Sequence, residues 1–189
     1  MQRLILALAS AAALAAGCAS TPAPSTATRD VPQLRLAPAQ LGRSIALMQH
    51  IEVQAPGHAQ ALDVALEVDA AHVRMAVLAM QQVAARLDWD GTTLSETHAP
   101  WWPAQVSGER ILSDLQLSLW PVGTIRAALP AGWSLSEDGP VRELRQGDEP
   151  VTTITRRGGG AVVDLEQHRA PYRLTITSAP MDAAAGGSQ

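Results

Sequence analysis

An alternation of apolar and polar residues, with a period of two, dominates the chain between residues 34 and 178. Apolar side chains occupy every second position of residues 62–68, and residues 83–89 repeat the pattern before Asp90-Gly91. This period is typical of a strand with one buried face, and Asp-Gly is a strong hairpin signal. Such a chain is expected to fold as an antiparallel sheet that hides one apolar face.

Further strands are predicted at residues 92–97, 151–156, 161–168 and 172–178, which are separated by turns rich in Gly and Pro. Residues 72–80 have apolar side chains at odd-numbered and even-numbered positions alike, so both faces of a strand there would be apolar. This pattern predicts a central strand that is covered on both faces.

Residues 109–130 break the period of two. Ile111, Leu112, Leu115 and Leu119 follow helical spacing, and Pro121 ends or kinks that helix. Residues 122–129 predict a second short helix, and residues 38–42 a helical turn. The predicted fold is α+β and mainly antiparallel β, an incomplete barrel of about eight to eleven strands with the helical pair as a lid. Such a sheet can leave an apolar cavity below the helices, and the alternative is a solid core.

The N-terminal residues predict where the chain resides. Arg3, an apolar run over residues 4–14 and small residues at 15–17 are typical of a secretory signal peptide, too short to span a bilayer. The single cysteine, Cys18, follows directly, and residues 14–18 (LAAGC) resemble a bacterial lipobox, whose thiol is acylated. Ala19 and Ser20 then resemble the default signal for delivery to the outer membrane. The alternative is an ordinary secretory peptide with an incidental cysteine.

We therefore expect a signal peptide over residues 1–17, a lipidated Cys18 with a flexible tether over 18–33, one domain over 34–179 and a disordered tail over 180–189. Several acyl chains on Cys18 would anchor the protein stably in a membrane.

Charge and spacing argue against several functions. The net charge of −4 provides no basic surplus for a nucleic-acid backbone. The five histidines lack metal-site spacing, so neither a metal nor a cofactor is predicted. No G-x-S-x-G motif occurs, and no catalytic residue is assigned. Ser107 and Ser113 with His98 are the residues on which an acyl-ester hydrolase would have to depend.

The apolar residues of the helices and central strands are the candidates for a ligand wall. Two adjacent tryptophans in a loop with prolines on either side, Trp101 and Trp102, suit a cavity mouth or a membrane surface. The wall candidates, for which ordinary core packing is the alternative, are Met75, Val77, Trp89, Leu115, Leu119 and Trp120.

Three segments carry a family resemblance: residues 111–121 (ILSDLQLSLWP), 142–144 (REL) and 170–176 (APYRLTI), together with the Trp89-Asp90-Gly91 hairpin. They resemble an uncharacterised family of Gram-negative lipoproteins that is similar to the LolA/LolB carrier and receptor proteins. Members are often encoded in aryl-polyene or xanthomonadin-type pigment gene clusters. The resemblance implies a LolA/LolB-like incomplete barrel with helices over an apolar cavity, and it assigns no catalytic residue.

The expected function is that of a periplasm-facing lipoprotein, anchored in the outer membrane through Cys18, which binds or transfers a lipid-like or polyene-linked molecule. Two alternatives stay open. One is a structural or assembly lipoprotein that docks a protein partner, and the other is the acyl-ester hydrolase.

Overall fold

The computed structural model describes residues 31–80, 82–103 and 106–181. Cys18, the predicted signal peptide and residues 182–189 of the predicted tail lie outside the described residues. The compact unit begins at Val31, which packs against the core, so residues 31–33 of the predicted tether belong to the domain.

The described residues of the domain form ten antiparallel strands and two α-helices. The strands are β1 (Ile45–Ala55), β2 (His58–Val68), β3 (Val73–Ala79), β4 (Gln82–Trp89), β5 (Leu94–His98), β6 (Trp133–Asp138), β7 (Val141–Gln146), β8 (Glu149–Arg157), β9 (Val162–Gln167) and β10 (Tyr172–Pro180). The helices are α1 (Gly108–Leu119) and α2 (Val122–Ala128), with 3-10 turns at Pro38–Leu41 and Gly158–Gly160.

One open sheet contains all ten strands, in the order β5-β4-β3-β2-β1-β10-β9-β8-β7-β6. The first five strands form a meander away from β1, and the last five form a second meander that returns to β1 through β10. Ile51 pairs with Ile176 at this junction. The two edge strands, β5 and β6, are connected through α1 and α2. The coarse prediction of an incomplete, mainly antiparallel β fold with two short helices is confirmed.

Local signals explain the ends of several elements. The Ser107 hydroxyl accepts a hydrogen bond from the Arg110 backbone N–H and caps α1, which ends just before Pro121. In the β4–β5 turn, the Asp90 carboxylate accepts hydrogen bonds from the backbone N–H groups of Thr92 and Thr93. The predicted hairpin and both predicted helices are therefore present.

The prediction that residues 72–80 are covered on both faces is wrong. Val73, Met75 and Val77 are buried on the face that carries the helices, whereas Arg74 is exposed on the other face. Ala76 on that outer face pairs with Arg86 of β4. The aliphatic part of a long arginine side chain can cover such a small apolar residue, so no second layer is needed.

The core lies on the inner face of the sheet, which is defined here as the face that carries α1. One cross-strand row on this face consists of Leu47, Leu66, Met75 and Leu87, on β1 to β4. Leu112, Leu117, Trp120 and Ile125 from the helices join the same cluster. No helix in the described part of the chain is both long and apolar enough to cross a bilayer.

Candidate functional site

Residues 31–41, called the strap here, occupy the space between α1 and the inner face of β4. Leu34, Leu36 and Leu41 of the strap are 4–5% exposed and belong to the main apolar cluster. Burial of a leucine side chain contributes on the order of 1.5–3 kcal/mol. The strap is thus part of the core, although it does not pair with any strand of the sheet.

Polar side chains of α1 satisfy the strap backbone. The Gln116 side chain accepts a hydrogen bond from the Leu36 N–H at 2.9 Å and donates one to the Leu36 carbonyl at 2.8 Å. The Ser113 hydroxyl accepts from the Leu34 N–H at 3.1 Å and donates to the Pro32 carbonyl at 3.2 Å. Because buried backbone groups need partners, these two side chains make the strap position possible.

Two tryptophans of the predicted ligand wall also contact the strap. Trp89 donates its indole N–H to the Leu36 carbonyl at 2.8 Å, and Trp120 donates to the Ala37 carbonyl at 3.2 Å. Both indole rings are almost completely buried. A buried tryptophan needs an acceptor for its N–H, and here the strap provides it.

The C-terminal end of α1 is held by arginines of the sheet. Arg142 donates to the carbonyl oxygens of Leu117 and Trp120 at 2.6 and 2.9 Å, and Arg156 donates to that of Ser118 at 3.0 Å. The last carbonyls of a helix lack partners within the helix and carry partial negative charge. Two guanidinium groups therefore satisfy this end of α1.

Glu137 on β6 binds both of these arginines. Its carboxylate lies 2.6 Å from the Arg142 guanidinium and 3.0 Å from that of Arg156. Burial raises the pKa of Glu137, but the hydrogen bonds and charges of Arg142 and Arg156 outweigh burial, so the net shift is downward. The carboxylate therefore stays ionised and orients both arginines toward the helix.

The N-terminal half of α1 is attached to β10 through Arg110, Asp114 and Tyr172. The Arg110 guanidinium lies 2.8 Å from the Asp114 carboxylate and donates to the Tyr172 hydroxyl at 2.9 Å. That hydroxyl donates in turn to Asp114. Burial raises the pKa of both Asp114 and Tyr172, against the opposing effect of Arg110. This network links helix and sheet, which makes α1 a fixed element at both ends.

The structure places Met75 and Val77 beside Trp102. With Ile111 they line a cavity of about 10 Å³ between α1 and strands β3 to β5. The Trp102 indole N–H donates to the Val106 carbonyl at 3.0 Å, and the ring packs against the core. This cavity holds about one water, whereas ligand pockets are typically several hundred Å³. The site is closed at this position.

The middle of the inner face is less well covered than its flanks. Ile51 pairs with Leu62 on one side and with Ile176 on the other, and all three are only half-buried. Leu115 and Leu119, the wall candidates on α1, are half-buried as well. An aliphatic surface on β1, β2 and β10 thus stays partly accessible to solvent, although its neighbours are packed.

Trp101 belongs to an exposed apolar corner of the sheet. Three of the four large hydrophobic residues that are exposed in the described residues occur there: Met80 at 80%, Trp101 at 46% and Val83 at 41%. The Ala99 N–H donates to the Ala84 carbonyl, which places the loop with Trp101 next to the start of β4. Met80, in the β3–β4 turn, adopts a left-handed conformation with φ +50°.

The residues of the hydrolase alternative have structural contacts. Ser113 binds the strap, Ser107 caps α1, and His98 lines the small cavity with Met75 and Val77. Among the described residues, no three His, Cys, Asp or Glu side chains cluster closely enough to hold a metal ion. A second, open groove of about 330 Å³ has a mixed lining, which includes the Glu166–Arg173 ion pair as well as Pro56 and Tyr172.

Gln116 and the strap leucines were not among the predicted site residues. A signal for Gln116 was present, because it lies one helical turn after Leu112 and one before Trp120, on the side of α1 that is otherwise apolar. Residues 34–36 (LRL) also continue the period of two up to the end of the predicted tether.

Residues 46–180 match a family model described as "Protein of unknown function (DUF3261)". The match covers most of the chain, which therefore belongs to this family. No curated protein matches the chain.

Proposed function

We propose that this chain, as a member of the DUF3261 family, is a periplasm-facing lipoprotein that binds or transfers a lipid-like or polyene-linked molecule on the inner face of its sheet. The finer fold assignment that accompanies this proposal is a LolA/LolB-like half-barrel. The observation that carries it is the aliphatic surface of Ile51, Leu62 and Ile176, which remains half-buried in the centre of an otherwise packed face.

Burial of apolar surface contributes about 25 cal/mol per Å². A hydrocarbon chain laid against the inner face would remove both its own surface and that of β1 and β10 from water. The half-buried side chains of Leu115 and Leu119 on α1 would add apolar surface from the opposite side. Such binding requires no covalent chemistry, and a nearby bilayer is an apolar acceptor for release.

The proposal includes an anchor at Cys18. The residues between Cys18 and the strap are small, polar and interrupted by proline. A flexible tether of this length has a root-mean-square reach of roughly 20 Å. The acylated cysteine would therefore keep the domain beside the outer membrane and allow it to rotate.

The exposed apolar corner is proposed to contact the bilayer. Pro32 contacts Ser113 in the middle of α1, whereas Ala37 contacts Trp120 just after the end of the helix. The strap and α1 therefore run in the same direction, so the first residues of the strap lie nearer than its last ones to the start of α1, which follows the loop that contains Trp101. The indole of Trp101 suits the headgroup layer of a bilayer.

Titration of the full chain carrying Cys18→Ser with a fluorescent long-chain fatty acid tests the binding function. We expect saturable binding of about one probe per chain. Ile51→Asn should weaken the affinity at least tenfold, because it places an amide on the inner face. Glu52→Asn on the outer face of the same strand is the matched control and should bind normally. The absence of saturable binding by a folded chain would contradict the proposal.

Sedimentation with vesicles of phosphatidylethanolamine and phosphatidylglycerol tests the membrane contact. The Cys18→Ser chain should partition weakly onto the vesicles, and Trp101→Ser should reduce that partitioning several-fold. Val141→Ser changes a similarly exposed residue on β7 and should have no effect. If Trp101→Ser instead abolished co-purification of a stoichiometric protein partner and vesicle binding were absent, the corner would be a protein-docking surface.

A further inference from the structure

The strap and α1 cover the same face of the sheet but are attached to it very differently. Helix α1 is held at its C-terminal end by Arg142 and Arg156 of the sheet. In its N-terminal half, its Arg110 and Asp114 bind the hydroxyl of Tyr172 on β10.

The strap does not pair with any strand of the sheet, and hydrogen bonds from side chains of α1 hold its backbone in place. The ion pair that joins the strap to α1, Arg35–Glu109 at 3.4 Å, is partly exposed to solvent. Such an exposed pair contributes little to stability, so of the two elements the strap is the one that is more easily released.

The strap also has a natural hinge. Gly42 follows the 3-10 turn with φ +77°, and nothing lies within 4 Å of the position where a Cβ would be. A glycine in open space can change its backbone conformation without steric penalty. The strap could therefore rotate outward at Gly42 while β1, which begins at Ile45, stays in the sheet.

We propose that the strap is the internal occupant of the ligand site, and that ligand uptake displaces it. The inference rests on the proposed binding function, and it extends the site from the accessible surface of Ile51, Leu62 and Ile176 into the space that the strap fills in the empty protein. The cavity of about 10 Å³ beside Met75 cannot hold a lipid chain. Removal of Leu34, Leu36 and Leu41 would open a trough between α1 and β4 that is continuous with the apolar core.

The contacts of the strap define the chemistry of the ligand. Three leucine side chains contain about twelve aliphatic carbons, so an acyl chain of about that length or longer replaces their burial. Release of the strap also leaves the side chains of Gln116, Trp89 and Trp120 without their backbone partners. Unpaired buried donors are costly, so the site favours a chain with a carbonyl acceptor, such as an acyl ester or amide, over a plain hydrocarbon.

Displacement couples ligand binding to the anchor. A released strap adds its own length to the tether, roughly 35 Å of chain if fully extended. The loaded domain can then extend further from the membrane than the empty one. Because the complete site, which includes the space vacated by the strap, forms only in the strap-open state, the apparent affinity falls in proportion to the population of that open state.

Hydrogen exchange of the full Cys18→Ser chain, with and without the fluorescent fatty acid, tests the inference. The Leu34 and Leu36 amides donate to Ser113 and Gln116 and should be protected in the empty protein. Saturation with the probe should accelerate their exchange at least tenfold. If the probe binds stoichiometrically while both amides stay protected, the inference is wrong although the proposed function stands. If no probe binds, it is the proposed function that fails.

Two serines of α1 provide a matched pair of variants. Ser113→Ala removes two hydrogen bonds to the strap, whereas Ser118→Ala removes one to the Asp114 carbonyl within the helix. Both serines are buried. Ser113→Ala should populate the open strap and raise the probe affinity about three- to tenfold, whereas Ser118→Ala should not raise it. Equal affinities for the two variants would contradict the displacement.

A second pair keeps the test informative if Ser113→Ala does not fold. Leu34 in the strap and Leu135 on β6 are both 4% exposed. Leu34→Ala should raise the probe affinity because it weakens the occupant, whereas Leu135→Ala should leave it unchanged or lower it. A fall in affinity for both variants would contradict the inference.

Discussion

Gln116 binds both backbone groups of Leu36: its side-chain oxygen accepts from the Leu36 N–H at 2.9 Å, and its side-chain nitrogen donates to the Leu36 carbonyl at 2.8 Å. A glutamine that is 0% exposed thus substitutes for a strand neighbour. This pairing explains how an extended segment without a strand partner can lie inside an apolar core.

Gln116→Ala should lower the free energy of unfolding by about 2–4 kcal/mol, because it leaves the buried Leu36 N–H without a partner and removes packed volume. Urea denaturation of the purified chain measures the change. Gln54→Ala, at an exposed position of β1, should change stability by less than about 0.5 kcal/mol. If the two variants were equally stable, the strap would not be held as described.

Glu137→Gln should destabilise the fold by about 1–3 kcal/mol at neutral pH, because Arg142 and Arg156 lose a charged acceptor. The pKa of Glu137 is below its ordinary value in the folded chain. The stabilisation that ionised Glu137 provides is therefore fully present at pH values above its pKa in the unfolded chain. It is lost as the pH falls through its pKa in the folded chain.

Urea denaturation at several pH values checks this prediction. The difference between wild type and Glu137→Gln should be largest at neutral pH and should shrink below about pH 4. A difference that did not depend on pH would show that the charge of Glu137 contributes nothing to the attachment of α1.

Tyr172 is the single tyrosine of the chain, so the near-UV absorbance of phenolate reports on this residue alone. Burial and the charge of Asp114 raise the pKa of Tyr172 well above its usual range. Because the folded-state pKa is raised, the stabilisation is complete below the unfolded pKa of about 10 and is lost as pH rises above it.

Alkaline titration should therefore give phenolate only as the chain unfolds, with absorbance and far-UV circular dichroism changing together. Asp114→Asn should shift the phenolate transition to lower pH, since it removes the carboxylate that disfavours ionisation. Titration of Tyr172 near pH 10 in the folded wild-type chain would contradict the buried network.

The fold was predictable from the sequence where the pattern is local. The Asp90-Gly91 turn, the stop at Pro121 and the alternation along β2 and β4 each specify a short segment, and the structure contains all of them. In β1 the apolar alternation of the sequence is interrupted at Gln49, whose amide is buried and donates to Ser178 on β10. A buried polar residue of this kind depends on a partner far away in sequence.

The site was less predictable for the same reason. Trp89 and Trp120 were predicted as candidates for a ligand wall, and both are buried, yet their shared contact is a segment that composition assigned in part to the tether. The REL and APYRLTI segments contain Arg142 and Tyr172, which contact α1 from two strands. The family resemblance included these segments, but the sequence alone did not predict that residues from both of them contact α1.

Met80→Gly should raise stability by about 0.5–1 kcal/mol, because glycine adopts the left-handed conformation of this turn without the Cβ clash. Met80→Ala keeps the Cβ and is the control that should gain nothing. Thermal unfolding distinguishes the two. Equal midpoints for the glycine and alanine variants would show that the turn is not strained.

The most direct test of the account is native mass spectrometry of the full Cys18→Ser chain, purified without detergent from its own host. We expect a fraction of the protein to carry one additional molecule of lipid-like mass, released by organic extraction and depleted in the Ile51→Asn variant. A chain that was folded, carried no such molecule and also failed to take up the fluorescent fatty acid would contradict the claim that its inner face binds a hydrophobic ligand.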